Sequence, residues 1–494
     1  MNNETVSRPN IVFLFSDQHA GGVYGAAGDE IADTPNIDYL AASGVQFSNC
    51  YCPSPLCIPS RMAFMTGQYP DQINVRTNRD YLPSDIPTFA HSLAASGYRT
   101  TLAGRMHFVG PDQLHGFQER LIGDISINWP GSSLIDFGPL NAGRGTKGPT
   151  LKYAGYGETA VHRYDQAVTD AACTYLSERG KPDSDNDAPF FLGVGWYGPH
   201  PPFIAPEQNY RYFEGRVPPA KYPKPDTDAE HPFIEYWRKT AEFDQVPPGA
   251  DIIARTAYYG LVQMIDSHVG RVIDQLKAAG LDENTLIVYA SDHGEQMGER
   301  GLWQKSTFFD HSSRVPLIMS WPGRVPAGQV RTQNVNLVDL TTTFTHAGNA
   351  DPLPNSVGVD LVTVAQNDPV NENPVFSEFY GGLVSIEATS IVNRMVRVGN
   401  WKFNYYSGYP SELFDMVDDP DERNNLAEMP EHQETVEYLT QLILKNWDPI
   451  DIEEKSEIKS KNIDILKNWT KATNAVEIHR WVDPESENNW FKTD

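Results

Sequence analysis

Residues 258–293 read YYGLVQMIDSHVGRVIDQLKAAGLDENTLIVYASDH, and they are the strongest indication of the fold class in the chain. Apolar side chains recur at helical spacing through residues 258–279, and Gly280 follows as a typical helix stop. The short apolar run at 286–290 has the length of a buried strand and ends in polar residues. A helix that leads directly into a buried strand is typical of an α/β protein.

The same alternation of strand and helix occurs earlier in the chain. Residues 11–15 and 190–194 are apolar runs of strand length. Residues 34–44 predict a helix, with Thr34 as its N-cap, Pro35 at its first position and a glycine at its end. Strands separated by helices predict a mostly parallel sheet that is sandwiched by helices.

The pattern changes near residue 376, and 494 residues are too many for one typical core. Residues 393–406 alternate like antiparallel strands, and residues 412–427 predict a strand, a turn and a helix. We therefore predict a catalytic domain at 1–375 and a smaller C-terminal α+β subdomain at 376–494. The final segment is polar but aromatic, which predicts a tail docked on its own fold or on a neighbouring subunit, within a homo-oligomer. Its tryptophans are Trp447, Trp469, Trp481 and Trp490.

Composition limits the classes of partner and the location. Lys and Arg total 39 against 65 Asp and Glu, so the formal charge of −26 disfavours nucleic acid and anionic membranes as partners. The four cysteines are too few for a disulfide framework. The N-terminal MNNETVSRPN does not resemble a signal peptide, so we expect a cytoplasmic location, or a periplasmic one if a leader has been trimmed.

Polar side chains follow several of the predicted strands. Because parallel sheets place their chemistry beyond the carboxyl ends of their strands, these residues are candidates for a shared site. Any one of them alone would be interpreted as a turn or cap residue, and the prediction depends on their occurring together. The residues are Asp17, Gln18, Arg105, His107, His200, Asp292 and His293.

Residues 57–67, CIPSRMAFMTG, carry the clearest chemical signal. Pro59, Ser60 and Arg61 predict the start of a helix, and a glycine would end it. A side chain at a helix N-terminus faces unpaired N–H groups and the positive end of the helix dipole. Cys57 is therefore interpreted as a reactive thiolate beside an anion site, with a buried, unreactive cysteine as the alternative.

This motif matches the C-x-P-S-R signature, followed by T-G, of the type I sulfatases, and the resemblance extends over nearly the whole chain. It implies the fold of the alkaline phosphatase superfamily with a small antiparallel C-terminal domain. Within the family the chain most resembles choline-sulfatase-like and phosphonate-monoester-hydrolase-like members. Matching segments are PNIVFLFSDQ (9–18), TPNIDYLAASGVQFSN (34–49), GRMHFVG (104–110), GPHPPF (198–203), SDHGEQMGERGLWQKSTFFDHSSRVPLI (291–318) and ELFDMVDDPDERNNLA (412–427).

Two departures bear on specificity. Choline sulfatases tend to carry H-P-H-D-P where this chain has GPHPPF, which weakens the expectation of choline as the alcohol. Arg105 stands where most family members have Lys, which keeps the positive charge and changes its reach.

The resemblance also implies a cofactor and a modification. Asp17, Gln18, Asp292 and His293 correspond to the metal ligands of the family, together with position 57. Oxygen-rich ligation favours Ca²⁺, with Mn²⁺ or Mg²⁺ as alternatives. A maturation enzyme is expected to oxidise Cys57 to formylglycine, which reacts as a hydrate.

The remaining roles follow from the same correspondence. One hydroxyl of the hydrate attacks sulfur, and Arg61, Arg105 and Lys305 neutralise the sulfate oxygens. His200 is the candidate acid for the leaving alcohol, and His107 takes the proton of the second hydroxyl. Without the surrounding motifs, Lys305 would pass as a surface lysine.

The substrate predicted in this way is a small organosulfate or a sulfated sugar. Two alternatives remain open, namely a phosphonate or phosphate ester hydrolase and an unmodified, non-catalytic anion-binding protein. Asp124 and Glu378 could face a cationic group of the substrate, with a solvated carboxylate as the alternative. Candidate aromatic pocket walls, with plain core as the alternative for each, are Trp129, Trp196, Phe203, Phe309 and Tyr380.

Overall fold

The computed structural model describes residues 8–134, 145, 147–181, 188–224, 230–368, 373–381 and 391–493. The prediction about the N-terminal residues 1–7 lies outside this part of the chain. Within it, no helix combines the length and the apolar character needed to span a bilayer.

An eight-stranded sheet forms the centre of the protein, in the order β10-β2-β9-β8-β1-β6-β3-β4. Neighbouring strands run parallel except at β9, which is antiparallel to both of its neighbours. The prediction of a mostly parallel sheet is thus confirmed. Its strands are β1 (Asn10–Asp17), β2 (Val45–Tyr51), β3 (Arg99–Gly104), β4 (Glu119–Ile122), β6 (Phe190–Pro199), β8 (Thr285–Ser291), β9 (Leu317–Ser320) and β10 (Gln329–Asn336).

Helices cover both faces of this sheet, and alternate side chains of β1 pack into the two cores that result. Val12 and Leu14 pack with α1, α4 and α7, whereas Phe13 and Phe15 pack with α2, α3 and α9. The helices of this part are α1 (Pro35–Ser43), α2 (Cys57–Thr66), α3 (Phe89–Ala95), α4 (Ala160–Arg179), α5 (Glu207–Phe213), α6 (Pro232–Thr240), α7 (Ala250–Ala278), α8 (Asp310–Ser313), α9 (Asp339–Ala347) and α10 (Leu361–Asn367).

A four-stranded antiparallel sheet follows, as the alternation at 393–406 predicts. Its order is β11 (Val375–Tyr380), β12 (Val392–Val398), β13 (Trp401–Tyr406) and β14 (Glu412–Asp415). The helices α11 (Gln433–Leu444) and α12 (Pro449–Thr473) come next, and α11 packs on this sheet through Leu439 and Ile443. The division at residue 375 stays a prediction.

The predicted helix within residues 412–427 is wrong, since the first α-helix after β14 starts only at Gln433. Side chains take the backbone donors that a helix would use. Asp419 Oδ2 accepts from the N–H groups of Arg423 and Asn424, each at 2.7 Å. Asn425 Oδ1 likewise accepts from Ala427 N–H at 2.9 Å. Such local bonds favour turns over helix.

The tail returns to the first part of the chain. Its last strand, β15 (Trp490–Lys492), pairs with β5 (Gly155–Glu158), which in turn pairs with β7 (Ile204–Ala205). Trp481 packs edge-on against Tyr164 with ring centroids 5.2 Å apart. The tail is therefore docked on its own fold, one of the two arrangements predicted from its aromatic residues.

Candidate active site

Cys57 is the first residue of α2, and the helix starts two residues earlier than the proline predicts. Leu56 precedes it in an extended conformation, and every residue of α2 is buried. The side chain of Cys57 therefore lies in the first turn, where the positive end of the helix dipole attracts anions. This placement is the one that the anion-site interpretation requires.

Two strand ends bring the acidic pairs together. β1 and β8 are parallel neighbours, with Ser16 opposite Ser291, so Asp17 and Asp292 leave the sheet side by side. The N–H of Gln18 donates to Asp292 Oδ1 at 3.0 Å across 274 positions of sequence. The two acidic pairs can converge only if their strands are neighbours, and β1 and β8 are neighbours.

Four buried residues converge on one point beyond these strands. They are Asp17, Cys57, Asp292 and His293, and one ligand atom of each lies within 4.8 Å of the others. Cys57 Sγ is 3.2 Å from His293 Nε2 and 3.8 Å from Asp17 Oδ1.

The chemistry of these donors fits a divalent cation. His293 Nδ1 donates to the carbonyl of Gly294 at 3.0 Å, which leaves a lone pair on Nε2. Burial lowers the pKa of His293 to about 4, so its imidazole is neutral at neutral pH. Arg61 binds the Oδ2 atoms of Asp17 and Asp292 at 3.0 and 2.8 Å. The Oδ1 atoms of the same two carboxylates lie 3.8 and 3.6 Å from Nε2 of His293. Two carboxylate oxygens and one imidazole suit a hard cation or a first-row metal.

Two buried arginines balance these carboxylates. Arg105 Nε donates to Asp17 Oδ2 at 2.6 Å, and Arg61 Nη1 donates to the carbonyl of Arg105 at 3.1 Å. Burial opposes ionisation of Asp17, but Arg105 and Arg61 hold its pKa well below the usual range. The anionic form of Asp17 is therefore favoured.

Lys305 is buried at the same point, although its sequence context alone would allow a surface lysine. Its Nζ donates to Cys57 Sγ at 3.2 Å and to Gln18 Oε1 at 2.7 Å. Gln304 and Ser306 on either side have φ angles of 65° and 78°. Left-handed backbone at such residues costs about 1–3 kcal/mol each and is characteristic of functional sites.

The two predicted proton-transfer histidines lie at the edge of this cluster and are half-buried. Arg105 Nη2 donates to His107 Nδ1 at 2.8 Å, and burial together with Arg105 lowers the pKa of His107 well below its usual value. His200 Nδ1 donates to the carbonyl of Pro201 at 2.8 Å. Burial and Lys305 lower the pKa of His200, opposed by Asp17 and by a hydrogen bond with Cys57.

Glu295 is a buried residue of this site that was not predicted from the sequence. The side-chain amide of Gln18 donates to Glu295 and, at 3.1 Å, to Gln304 Oε1. The N–H groups of Met297 and Gln304 fix Glu295 Oε1 at 3.0 and 2.7 Å. Its position two residues after His293, in SDHGEQ, is the available signal. The role of Gln18 as a metal ligand stays a prediction.

Asp124 and Glu378 are buried in ion pairs rather than solvated. Asp124 Oδ1 is 3.3 Å from Arg105 Nη1, and Glu378 Oε1 is 3.2 Å from Arg394 Nε. The aromatic pocket candidates have interior contacts too. For example, Trp196 donates to Thr169 Oγ1 at 2.9 Å. Of the five, four are buried and Trp129 is half-buried, in contact with Trp469.

Replacement of Arg105 by lysine tests whether the site needs the planar guanidinium group, with its several donors, at this position. Because its guanidinium binds Asp17, Asp124 and His107 at once, an ammonium group cannot make all three contacts. We expect Arg105→Lys to lower kcat/KM for sulfate esters by roughly 10- to 100-fold with little change in melting temperature. Lysine at the exposed Arg211, which bonds Tyr156 and Glu214, is the control. Unchanged kinetics in Arg105→Lys would contradict a role for the guanidinium group.

Comparisons with known proteins identify the family of this chain. The family model described as Sulfatase matches residues 9–350, and the model described as N-sulphoglucosamine sulphohydrolase, C-terminal, matches residues 298–448. A choline-sulfatase of Rhizobium meliloti is 33% identical over 470 residues, covering 90% of this chain and 88% of its own. An ulvan-active sulfatase of Formosa agariphila is 27% identical and covers 86% of this chain and 78% of its own.

Solved structures have the same fold. A phosphonate monoester hydrolase of Agrobacterium radiobacter superposes with a TM-score of 0.73 at 23% identity, covering 89% of this chain and 95% of its own. A protein solved with its substrate D-glucosamine-2-N,6-O-disulfate superposes with a TM-score of 0.69 at 21% identity, covering 90% and 99%. Since the sequence matches span most of the chain, this protein belongs to the sulfatase family of sulfuric ester hydrolases, which typically use a divalent cation and a formylglycine made from cysteine.

Proposed function

We propose that this chain hydrolyses the sulfate ester of a small organic molecule or a monosaccharide, with formylglycine at position 57 as the nucleophile. The observation that carries the proposal is the surroundings of Cys57 Sγ. That single atom lies 3.2 Å from both Lys305 Nζ and His293 Nε2, at the N-terminus of a buried helix. A maturation enzyme would act on Cys57 before the chain folds around it, and we propose assembly as a homo-oligomer.

Asp17, Gln18, Asp292 and His293 would hold one divalent cation together with position 57, with Ca²⁺ as the first candidate and Mn²⁺ or Mg²⁺ as alternatives. When bound, the cation and the hydrated aldehyde would supply a polarised hydroxyl group as the nucleophile. The buried carboxylates keep the site ready for this ion, because Arg105 and Arg61 favour the anionic form of Asp17.

The cations around position 57 would hold the sulfate group. Arg61, Arg105 and Lys305 are all buried, and the N-terminus of α2 adds its dipole. Preorganised charges in a water-poor site stabilise the redistribution of charge on the sulfate oxygens more than mobile water does. Their placement before substrate binding avoids reorganisation during the reaction.

His200 would donate a proton to the leaving oxygen. The bond from its Nδ1–H to Pro201 orients the ring and leaves Nε2 as the atom that carries the transferred proton. His107 would take a proton at Nδ1, which accepts a bond from Arg105 in this structure. Because arginine only donates, His107 Nδ1 holds a lone pair, which a base at this atom needs.

The acid role of His200 predicts a dependence on the leaving group. A sugar or alkyl alcohol needs a proton to leave, whereas a nitrophenolate leaves almost unaided. We expect His200→Ala to lower turnover of alkyl or sugar sulfates by about 10²- to 10⁴-fold while sparing nitrophenyl sulfate much better. Turnover of both ester types is measured on the same preparation.

A matched control is available in His268, a buried histidine that stacks near Trp196 and bonds Thr169. His268→Asn should change both ester types by the same factor. If His200→Ala also lowers both by equal factors, His200 only binds the sulfate and the acid role is wrong.

The substrate class is supported by charge and by likeness to a choline-sulfatase. A net charge of −26 opposes long polyanionic glycans and favours a small ester. Pro201 stands where choline sulfatases tend to carry Asp, so the alcohol is expected to differ from choline. Sulfate release from choline sulfate, monosaccharide sulfates and aryl sulfates tests this, and turnover confined to long sulfated glycans would contradict it.

The same screen addresses the alternative chemistry. A phosphonate or phosphate ester also presents a tetrahedral anion, and the fold is shared with a phosphonate monoester hydrolase. We expect kcat/KM for sulfate esters to exceed that for phosphonate esters. The opposite order would reassign the reaction.

A further inference from the structure

The C-terminal tail contacts a short segment beside the active site. Residues 476–481, called the tail segment below, lie along residues 123–129. Asp124 N–H donates to the carbonyl of His479 at 2.9 Å, and Trp481 N–H donates to the carbonyl of Asp124 at 2.8 Å. Both backbone polar groups of Asp124 are therefore bonded to the tail, in the pattern of a parallel β-bridge between Asp124 and Arg480.

Neighbouring contacts hold the same segment in place. Asn128 N–H donates to Glu477 Oε1 at 2.7 Å, and its side-chain amide donates to the carbonyl of Ile478. Trp129 Nε1 donates to the carbonyl of Val476 at 3.1 Å. The tail segment thus satisfies successive donors between residues 124 and 129, which would otherwise need water.

The side chain of Asp124 continues this chain of contacts into the active site. Its Oδ1 is 3.3 Å from Arg105 Nη1, and its Oδ2 accepts the backbone N–H of His107 at 2.7 Å. His107 has a φ of 59°, a left-handed conformation that a non-glycine residue keeps only when its surroundings hold it. Asp124 is 1% exposed, so solvent cannot replace these bonds.

We propose that the tail segment is a positioning element of the active site, which fixes Asp124 and through it Arg105 and His107. The proposal rests on the proposed function in so far as those two residues act on the sulfate ester. Arg105 is shared between Asp17 and Asp124, so the direction of its guanidinium depends on where Asp124 is held. If the tail segment only stabilised the fold, its release would leave the direction of the Arg105 guanidinium unchanged.

Two glycines provide a matched pair of variants outside the catalytic machinery. A Cβ atom on Gly123 would lie 1.8 Å from the carbonyl oxygen of His479, and a Cβ atom on Gly157 would lie 2.1 Å from that of Trp490. Gly123→Ala therefore displaces the tail segment, whereas Gly157→Ala displaces the tail only at β15. Both variants place a methyl group against tail backbone, so their costs in stability are comparable.

We expect Gly123→Ala to lower kcat/KM for a sulfate ester by roughly 10- to 100-fold, the range for residues that orient a site through others. Gly157→Ala should remain near the wild type. Hydrogen exchange should rise at residues 123–129 in the first variant only. Equal losses in the two variants, or full activity in Gly123→Ala with the segment released, would overturn the proposal.

Binding of inorganic sulfate, measured by calorimetry, gives a readout that needs no turnover. Weaker sulfate binding in Gly123→Ala than in Gly157→Ala supports the positioning role even if the wild type hydrolyses no sulfate ester, in which case only the proposed function fails. Equal sulfate affinities in the two variants contradict the positioning role whatever the activity.

A milder variant covers the case in which Gly123→Ala does not fold. Glu477→Ala removes the acceptor of the Asn128 N–H and the ion-pair partner of Arg480 without adding a clash. It should weaken sulfate binding in the same direction and by a smaller factor. Unchanged sulfate binding together with faster exchange at residues 123–129 would contradict the proposal.

Discussion

We expect Cys57→Ala to abolish sulfate ester hydrolysis and to leave the fold in place. The loss should be on the order of 10⁶-fold, as for removal of a covalent nucleophile. The unfolding free energy should change by only about 1 kcal/mol, because one small buried group is lost and the remaining residues of α2 keep their packing. Sulfate release and thermal unfolding are measured on the same preparations.

The control for this variant is Cys52→Ala, which also removes a buried thiol but lies outside the four-residue cluster. It should keep wild-type turnover. A hydrazine probe should label the wild type at position 57, and neither the probe nor turnover should be detected in Cys57→Ala. Full activity in Cys57→Ala, or an active wild type without an aldehyde, would refute the formylglycine assignment.

Asp292→Asn should remove the metal ion and with it most of the turnover. The amide has the same shape as the carboxylate, but it lacks the charge that favours a divalent cation and leaves Arg61 with Asp17 as its remaining carboxylate partner. We expect metal content to fall well below one ion per chain and turnover to fall by at least about 100-fold. Elemental analysis of the purified variant measures the first quantity without reference to activity.

Asp339→Asn is a matched control, since Asp339 is also buried and accepts backbone N–H groups, from Asn336 and Val359 at 2.8 Å each. It should keep its metal and its activity. Chelator treatment of the wild type should reproduce the Asp292→Asn result, and added Ca²⁺ or Mn²⁺ should restore turnover. Undiminished activity after complete metal removal would show that these carboxylates serve another purpose.

Local patterns were sufficient to predict most of the fold. Helical spacing before an apolar run predicts α7 and β8, and the strand-like alternation at 393–406 predicts β12 and β13. Such patterns reflect how an element is buried, so they can be recognised without knowing which other elements pack against it. The helix predicted within residues 412–427 failed because side chains of Asp419 and Asn425 bind the backbone donors, and propensity alone does not report that competition.

Contiguous motifs were enough to identify the family, the candidate nucleophile and the acidic pairs, because a contiguous motif can be recognised without the fold. No motif predicts that Asp17 and Asp292 meet, since their meeting depends on β1 and β8 being parallel neighbours. No local pattern predicts the position of Lys305 either, because folding places its Nζ 3.2 Å from Cys57 Sγ. Asp124 is held by a tail more than 350 positions away, a contact that no local pattern encodes because packing of the whole chain creates it.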